Sequence, residues 1–360
     1  MPAPERHHRP ASKIQFRRLD FMETTSRNPD SECRDMESDL VSKRSEKMQE
    51  KIYPLVSIAL ATYNGQQYLE KQLISLINQD YPNFEIVISD DCSSDNTWSI
   101  LESYARQDLR IRLLPRDFNR GYVKNFIRAF GECRGQLISP SDQDDIWHPE
   151  KTRRLVENMG EATLIYSNNR LIDENDKPLG KTLSDSLKGK MIQGNDSRNL
   201  LFCNSICGHA MLFRKDLLST SEKLDTTLYI DWTIAFLAAD KGHIKYLDEV
   251  LVDWRQHRRS FTAYNRDNTP LQRENRLRIE EANLNTFSSI KGQNQTFSLA
   301  TKRAWNAWHK SYLNLSMLIF ILKHGRITHK FHSARHPALK YIIGHKLKKI
   351  LRPNYYEKLD

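Results

Sequence analysis

The sequence predicts a doubly wound α/β domain followed by a helical tail. Three observations lead there. Short apolar runs rich in branched residues recur between residues 56 and 139. Segments with apolar residues three and four apart lie between them, and polar clusters close the first, second and last of the runs. Strands covered on both faces read as continuous apolar runs. Right-handed crossovers then bring the strand ends to one rim, where such sheets bind ligands.

Taken in order, Val56–Ala61 (VSIALA) is the first strand, and Asn64-Gly65 breaks it. Tyr68, Leu69, Leu73, Leu76 and Ile77 follow at helical spacing, up to Asp80-Tyr81-Pro82. Phe84–Ser89 (FEIVIS) is a second buried strand running into Asp90-Asp91. Ser93, Ser94 and Asp95 are capping residues for a helix through about Arg106. A short strand at Ile111–Leu114, a helix from about Gly121 to Cys133 and a strand at Gln136–Ser139 complete the series, which ends at Asp142. Thr62-Tyr63-Asn64, Asp90-Asp91 and Asp142-Gln143-Asp144-Asp145 therefore share one rim. The chain has no internal repeat and no low-complexity tract.

Composition narrows the class. With 360 residues, 39% apolar and 28% charged, the chain is long enough for a substantial core and unlike collagen, mucins or multi-span membrane proteins. No run of about 20 uncharged apolar residues exists, and Leu313–Leu322 is about half that length. Cys33, Cys92, Cys133, Cys203 and Cys207 form no CxxC pair, which argues for a reducing compartment. The four-residue step from Cys203 to Cys207 would set two thiols on one helix face. The first fifty or so residues are polar, with balanced charge and no period. They are expected to be disordered, and they lack the apolar core of a secretory signal.

The net charge of +10 is concentrated at one end. From Thr296 to Asp360 there are thirteen Lys or Arg against Glu357 and Asp360, so the remainder is close to neutral. Trp305, Trp308, Tyr312, Leu315, Ile319 and Phe320 fit one apolar helical stripe. Ala338–Leu351 mixes Leu and Ile with Lys346, Lys348 and Lys349. A basic amphipathic helix with aromatics reads as a membrane-surface element facing anionic lipid. Its plain alternative is a packed helical pair with a solvated basic face. No nucleic-acid-binding fold accompanies the charge.

The motifs then bear on chemistry. Neither GxGxxG after the first strand nor GxxxxGK[ST] anywhere is present, so no glycine loop cradles a phosphate. A phosphorylated ligand would need a cation, and the DQDD of Asp142–Asp145 can supply one. Carboxylates two apart on an extended turn bind Mg²⁺ or Mn²⁺, which keep waters and take phosphate oxygens as further ligands. Acidic loops are also common as solvated turns. The strand end, the Ile146-Trp147 behind it and the second acidic pair on the same rim favour a site.

These residues carry a resemblance. ATYNG (61–65), SDDCSSDNT (89–97), RDFNRGYVKNFIRAF (116–130), SDQDDIWHPEK (141–151), GHAMLFRKDLL (208–218) and YLDEVLVDWRQH (246–257) together resemble a family 2 glycosyltransferase. More narrowly, they are similar to its bacterial rhamnosyltransferase-like branch. The resemblance implies a GT-A fold over residues 54–262, a mixed sheet in which a nucleotide-binding half joins an acceptor-binding half. It leaves a disordered extension (1–53), a connecting helical segment (263–295) and the basic amphipathic tail (296–360).

It also implies roles. Thr62 and Tyr63 would line the base pocket of the donor, Asp90 would contact base and ribose with Asp91 in support, and Lys124 and Asn125 would lie near the donor. Asp144 would coordinate the metal, Asp142 would assist through ribose, water or metal, and Asp145 would stand behind them. His257 matches a position that contributes to metal or diphosphate binding. Asp231, in Tyr229-Ile230-Asp231-Trp232, matches the general base, although many members carry His where this chain has Ile230. The Gly208-His209 step would be positional. The plain readings are a helix cap for Asp91 and Asp231, an exposed helix face for Lys124 and Asn125, a structural histidine for His257, and core packing for Trp232 and Trp254.

The expectation is an inverting, metal-dependent hexosyltransferase using Mn²⁺ or Mg²⁺. It would move a sugar such as rhamnose from a dTDP- or UDP-linked donor to a glycan or lipid-linked glycan in surface polysaccharide biosynthesis. It would be cytoplasmic and peripheral on the inner face of the plasma membrane, with no nucleic-acid partner. The rivals are a non-catalytic nucleotide-sugar-binding or scaffold protein and a nucleotidyltransferase. The intact set Asp90, Asp142, Asp144 and Asp231 counts against the first, and the missing glycine-rich basic loop against the second.

Overall fold

A computed structural model describes residues 53–220, 224, 228–257, 269–329, 341 and 343–351. Residues 1–52, expected to be disordered, lie outside the described residues. Strands β1 (Val56–Thr62), β2 (Phe84–Asp90), β3 (Ile111–Leu113) and β4 (Leu137–Ser141) alternate with helices α1 (Leu69–Ile77), α2 (Thr97–Gln107) and α3 (Tyr122–Glu132). The four strands are parallel in the order β3-β2-β1-β4, with Ile58 level with Ile86 and Ser139. This is the doubly wound unit the sequence predicts.

The second half makes the sheet mixed. β5 (Ile146–Trp147), α4 (Lys151–Met159), β6 (Leu164–Ile172), β7 (Pro178–Thr182) and the one-turn α5 (Leu183–Ser186) follow. Then come β8 (Met211–Arg214), α6 (Ile230–Lys241) and β9 (Ile244–Arg255). Beyond β4 the order continues β8-β6-β9-β5, with β7 on β6. β8 is antiparallel to β4 and β6, β9 is parallel to β6, and β5 is antiparallel to β9.

Side-chain alternation along β1 separates two cores. Ile58 and Leu60 point to a cluster with Leu69, Leu73, Ile86 and Leu101 under α1 and α2. Ala59 points the other way, to Val87, Phe126 and Phe130 under α3 and on to the helices that follow β9. Those are α7 (Pro270–Ser289), α8 (Gln295–His309), α9 (Ser316–Thr328) and α10 (His345–Leu351). They are built onto the domain: Phe236 of α6 stacks on Phe287 of α7 at 4.2 Å, and Asp240 accepts from Ser197 Oγ at 3.0 Å and Asn294 N at 3.1 Å.

Three local expectations are corrected. The helix after β2 starts at Thr97 with Asn96 at its N-cap; the Asn96 side chain makes no cap, and of the three expected residues Asp95 accepts from Thr97 N at 3.0 Å. Ser93 instead turns back onto Asp90. Cys203 and Cys207 lie on a non-helical segment, so they share no helix face. The apolar stripe from Trp305 to Phe320 is broken, because α8 ends at His309 and α9 begins at Ser316. Trp305 and Trp308 are buried in the domain, whereas Leu315 and Ile319 are exposed. Among the described residues, no helix is long and apolar enough to cross a membrane.

Candidate active site

The loops after β1 and β2 form one side of the rim. Thr62, the last residue of β1, is buried and donates its hydroxyl to Asp90 Oδ1 at 2.9 Å. The Asp90 carboxylate also accepts from Ser93 N at 2.9 Å and Ser93 Oγ at 2.5 Å, and pairs with Arg116 Nε at 3.2 Å. It is fully buried and engaged on both oxygens, so it braces the rim from behind.

Asp91 accepts from Arg120 N at 2.6 Å and Gly121 N at 2.8 Å, which fixes the loop leading into α3. Gly121 sits there at φ +84°, a conformation suited to glycine. Asn125 is buried and donates to Ser89 O at 2.9 Å and Thr62 O at 3.3 Å. Its amide nitrogen locks the ends of β1 and β2 together, while its Oδ1 is buried with no hydrogen-bond partner among the described residues, and its neighbour Lys124 is exposed on α3. Asn64 and Cys92, just beyond the two strands, hold φ of 48° and 60°. Left-handed non-glycine residues of this kind concentrate at functional loops. Tyr63, half exposed, is an aromatic side chain of this rim.

The DQDD loop faces it. The Gln143 amide clamps the backbone of Tyr63, accepting from its N–H at 2.9 Å and donating to its carbonyl at 3.1 Å. Asp144 Oδ2 lies 2.7 Å from His257 Nε2, at the end of β9. Asp142 Oδ2 and Asp145 Oδ2 lie 3.2 and 3.1 Å from His209 Nδ1. Arg255, the last residue of β9, is buried and holds the loop by its backbone N–H on Asp145 Oδ1 (3.0 Å) and its Nε on the Asp144 carbonyl (2.7 Å). Its guanidinium pairs with Asp176 and lies over the ring of Tyr68 at 4.5 Å. Behind the loop, Nζ of buried Lys151 meets Ser139 Oγ at 3.0 Å and the face of Trp147.

Burial pushes the Asp145 carboxyl up to about 7, with Asp144 and Asp142 adding to it and His209 opposing. Burial disfavours the His209 cation, yet Asp145 and Asp142 hold its imidazole well above the usual range. The pair therefore keeps a proton at neutral pH. Two donor sets for a divalent ion result. One is Asp142, Asp145 and His209, whose ligand atoms lie within 4.8 Å of one another. The other is Asp144 with His257. Two ligands bound at about 2.1 Å and at right angles on one ion stand about 3 Å apart. The 2.7 Å between Asp144 Oδ2 and His257 Nε2 fits that spacing, and carboxylate and imidazole suit Mn²⁺ or Mg²⁺.

Asp231 stands in the first turn of α6, beside Gly208: a Cβ placed on that glycine would lie 3.5 Å from the Asp231 Cβ. Burial raises its carboxyl to about 6, with the charge of Asp142 contributing. The Trp232 indole donates to the Leu200 carbonyl at 2.6 Å, so its polar edge faces the protein, and the Trp254 ring lies 5.4 Å from that of His209.

Thus Asp142, Asp144, His257 and Tyr63 stand on one rim. Asp90, Asp91 and Asn125 form its framework. Sequence reasoning passed over Gln143 and Arg255 and gave His209 only a positional part. A polar residue opening the apolar run MLF was the one signal for His209, and Arg255 stood in the quoted RQH step.

Residues 57–220 match the family described as Glycosyl transferase family 2. An uncharacterized glycosyltransferase of Haemophilus influenzae is 28% identical, over 65% of this chain and 74% of its own length. TuaG of Bacillus subtilis, named for teichuronic acid biosynthesis, is 32% identical over 39% of this chain and 59% of its own. A crystal structure of S. aureus TarS 1-349 in complex with UDP-GlcNAc superposes with a TM-score of 0.51 at 17% identity, covering 76% of this chain and 78% of the other. That likeness establishes the GT-A architecture.

Proposed function

We propose that this chain, which carries a glycosyltransferase family 2 domain, moves a sugar from a nucleoside diphosphate to a hydroxyl of a glycan or lipid-linked glycan. The observation that carries this reading is the combination of a metal-competent acidic rim with a separate carboxyl, Asp231, held at about 6. Glycosyl transfer sets two tasks: negative charge grows on the departing diphosphate, and the attacking hydroxyl must lose a proton. One group cannot do both.

Asp144 and His257, with Asp142, would hold Mn²⁺ or Mg²⁺. The bound ion supplies positive charge opposite the leaving diphosphate. Asp231 accepts the acceptor's proton. At pH 7 it is ionised yet basic enough to take one, because burial has lifted it from the ordinary carboxylate range. Attack from the face opposite the leaving group inverts the anomeric carbon. Tyr63 offers its exposed ring to the base of the donor, and Gln143 keeps that ring in register with the acidic loop. The donor would be a dTDP- or UDP-linked hexose such as rhamnose, and the setting surface polysaccharide biosynthesis at the cytoplasmic face of the plasma membrane. The teichuronic acid assignment of TuaG supports that setting.

The test is hydrolysis and binding of dTDP-rhamnose, UDP-glucose, UDP-galactose, UDP-N-acetylglucosamine and GDP-mannose, with and without Mn²⁺. Metal-dependent turnover of one donor, lost in Asp144→Ala, is the expected result. Absence of both turnover and metal-dependent binding across the panel would remove the transferase reading.

A further inference from the structure

We propose that the outer face of α9, with the Tyr312-Leu313 turn before it and α10 beside it, docks on an anionic lipid bilayer. The proposal deepens the membrane-peripheral reading above and names its surface.

α9 is apolar on two sides. Met317 and Ile321 are buried against the domain, while Leu315, Ile319 and Leu322, spaced to share the opposite face, are 48 to 70% exposed. A helix that ended its packing at the domain would turn polar residues to water there. The neighbouring chain enlarges the face. Leu313 bridges Ile343, and Gly344 N donates to the Tyr312 carbonyl at 2.8 Å, which sets α10 beside the start of α9. Tyr312, Leu313, Ile350 and Leu351 are exposed as well. Of the sixteen exposed large apolar side chains among the described residues, eight fall between Tyr312 and Leu351. Scattered exposed apolar residues are ordinary, but a concentration marks an interaction surface.

Charge identifies the occupant. Lys310, Lys323, Arg326 and Lys346 are exposed in this region, and no Asp or Glu occurs between Thr296 and Glu357. Exposed aliphatic side chains on a segment whose acidic and basic residues are all cations complement acyl chains beneath anionic headgroups. A second copy of the chain would set the same cations face to face with no acid to neutralise them. Single-stranded nucleic acid would need a stacking platform, and Tyr312 is the one aromatic side chain counted among those eight.

The face is also joined to the acceptor side of the site. At the far end of α9, Phe202 stacks on His329 at 4.7 Å. The Trp232 indole ties Leu200 to α6, the helix that carries Asp231. Docking through α9 would thus hold the Asp231 side of the rim near the bilayer, where a lipid-linked hydroxyl presents itself.

The experiment is sedimentation of the full chain with vesicles of phosphatidylcholine, alone or mixed with phosphatidylglycerol. Wild type should bind the mixed vesicles and not the neutral ones. Leu315→Gln/Ile319→Gln/Leu322→Gln should lose at least about tenfold in binding. Lys323→Glu/Arg326→Glu should lose comparably, with the difference shrinking as salt rises. Both variants should melt as wild type does and keep wild-type donor hydrolysis in vesicle-free solution. Failure of wild type to bind mixed vesicles, or undiminished binding by the apolar variant, overturns the proposal. So does a doubled mass in light scattering that the apolar variant alone halves, since the face would then join copies. Vesicle binding by a chain that turns over no donor would support the docking and overturn only the transferase reading.

Discussion

Replacing Gly65 with alanine would place a Cβ 2.2 Å from Oε1 and 2.5 Å from Cδ of Gln143. That amide must move. It is the far end of a flexible side chain, so the fold can accommodate the change, but the clamp on the Tyr63 backbone is lost. Two partly solvated hydrogen bonds of this kind amount to about 1–2 kcal/mol. Alanine narrows the unfolded ensemble by about 0.4–1 kcal/mol in the opposite sense, so the melting temperature should hardly change. Donor affinity should fall about five- to thirty-fold, because Tyr63 and the acidic loop no longer keep register. Calorimetric titration of Gly65→Ala, Gln143→Ala and the double variant with nucleoside diphosphate and Mn²⁺ reads this directly. Gln143→Ala alone should cause the same loss, and Gly65→Ala should add nothing on top of it. Additive losses, or wild-type affinity in Gly65→Ala, would refute the clamp.

Asp231→Asn should lower turnover by about 10² to 10⁴ while leaving donor affinity intact, a split that separates base from binder. With Asp231 raised to about 6 by burial, the base is protonated below that pH and ionised above it. The wild-type kcat/KM should therefore fall on the acid side of about 6 and level off above it, and the residual activity of Asp231→Asn should lack that limb. Arg255→Lys keeps a cation but loses the fork that reaches both the Asp144 carbonyl and Asp176, so Mn²⁺ affinity should weaken about 10- to 100-fold in a metal titration of activity. Phe287→Ala removes the buried partner of Phe236 and should lower stability by about 3–5 kcal/mol in urea unfolding, since the cavity lies at the joint between α6 and α7.

β1 and β2 were legible because both of their faces are covered, which leaves nearly continuous apolar runs in the sequence. β6 is as central, yet it carries buried Ser167, Asn168 and Asn169, whose polarity hides it from hydropathy. The acidic candidates could be found because they stand where strands end. His209 could not, since it lies 67 positions from Asp142 and arrives only through the antiparallel pairing of β8 with β4. The same holds for Gln143 on Tyr63, 80 positions apart. Asp90 and Asn125 show the opposite limit. Residue type suggested ligand contact, and only the surrounding donors and carbonyls reveal that both Asp90 oxygens and the Asn125 amide nitrogen already hold the framework. In the tail the apolar spacing continues through residues 310–315 although the helix does not, so one stripe on paper is two faces in space.

The order of strands gives the acidic loop a second occupation. Four residues, Asp142 to Asp145, separate the end of β4 from the start of β5, yet β8, β6 and β9 lie between those strands in the sheet. Laid flat, four strand spacings of about 4.8 Å make roughly 19 Å. Five extended peptide steps reach about 18 Å at most. The sheet must bend towards itself, and the segment bearing the carboxylates is the clasp that closes the bend. Their placement is then governed by the length of the clasp as well as by its chemistry. A single exchange within it alters one group, whereas one inserted residue would slacken the whole curve and displace every carboxylate at once.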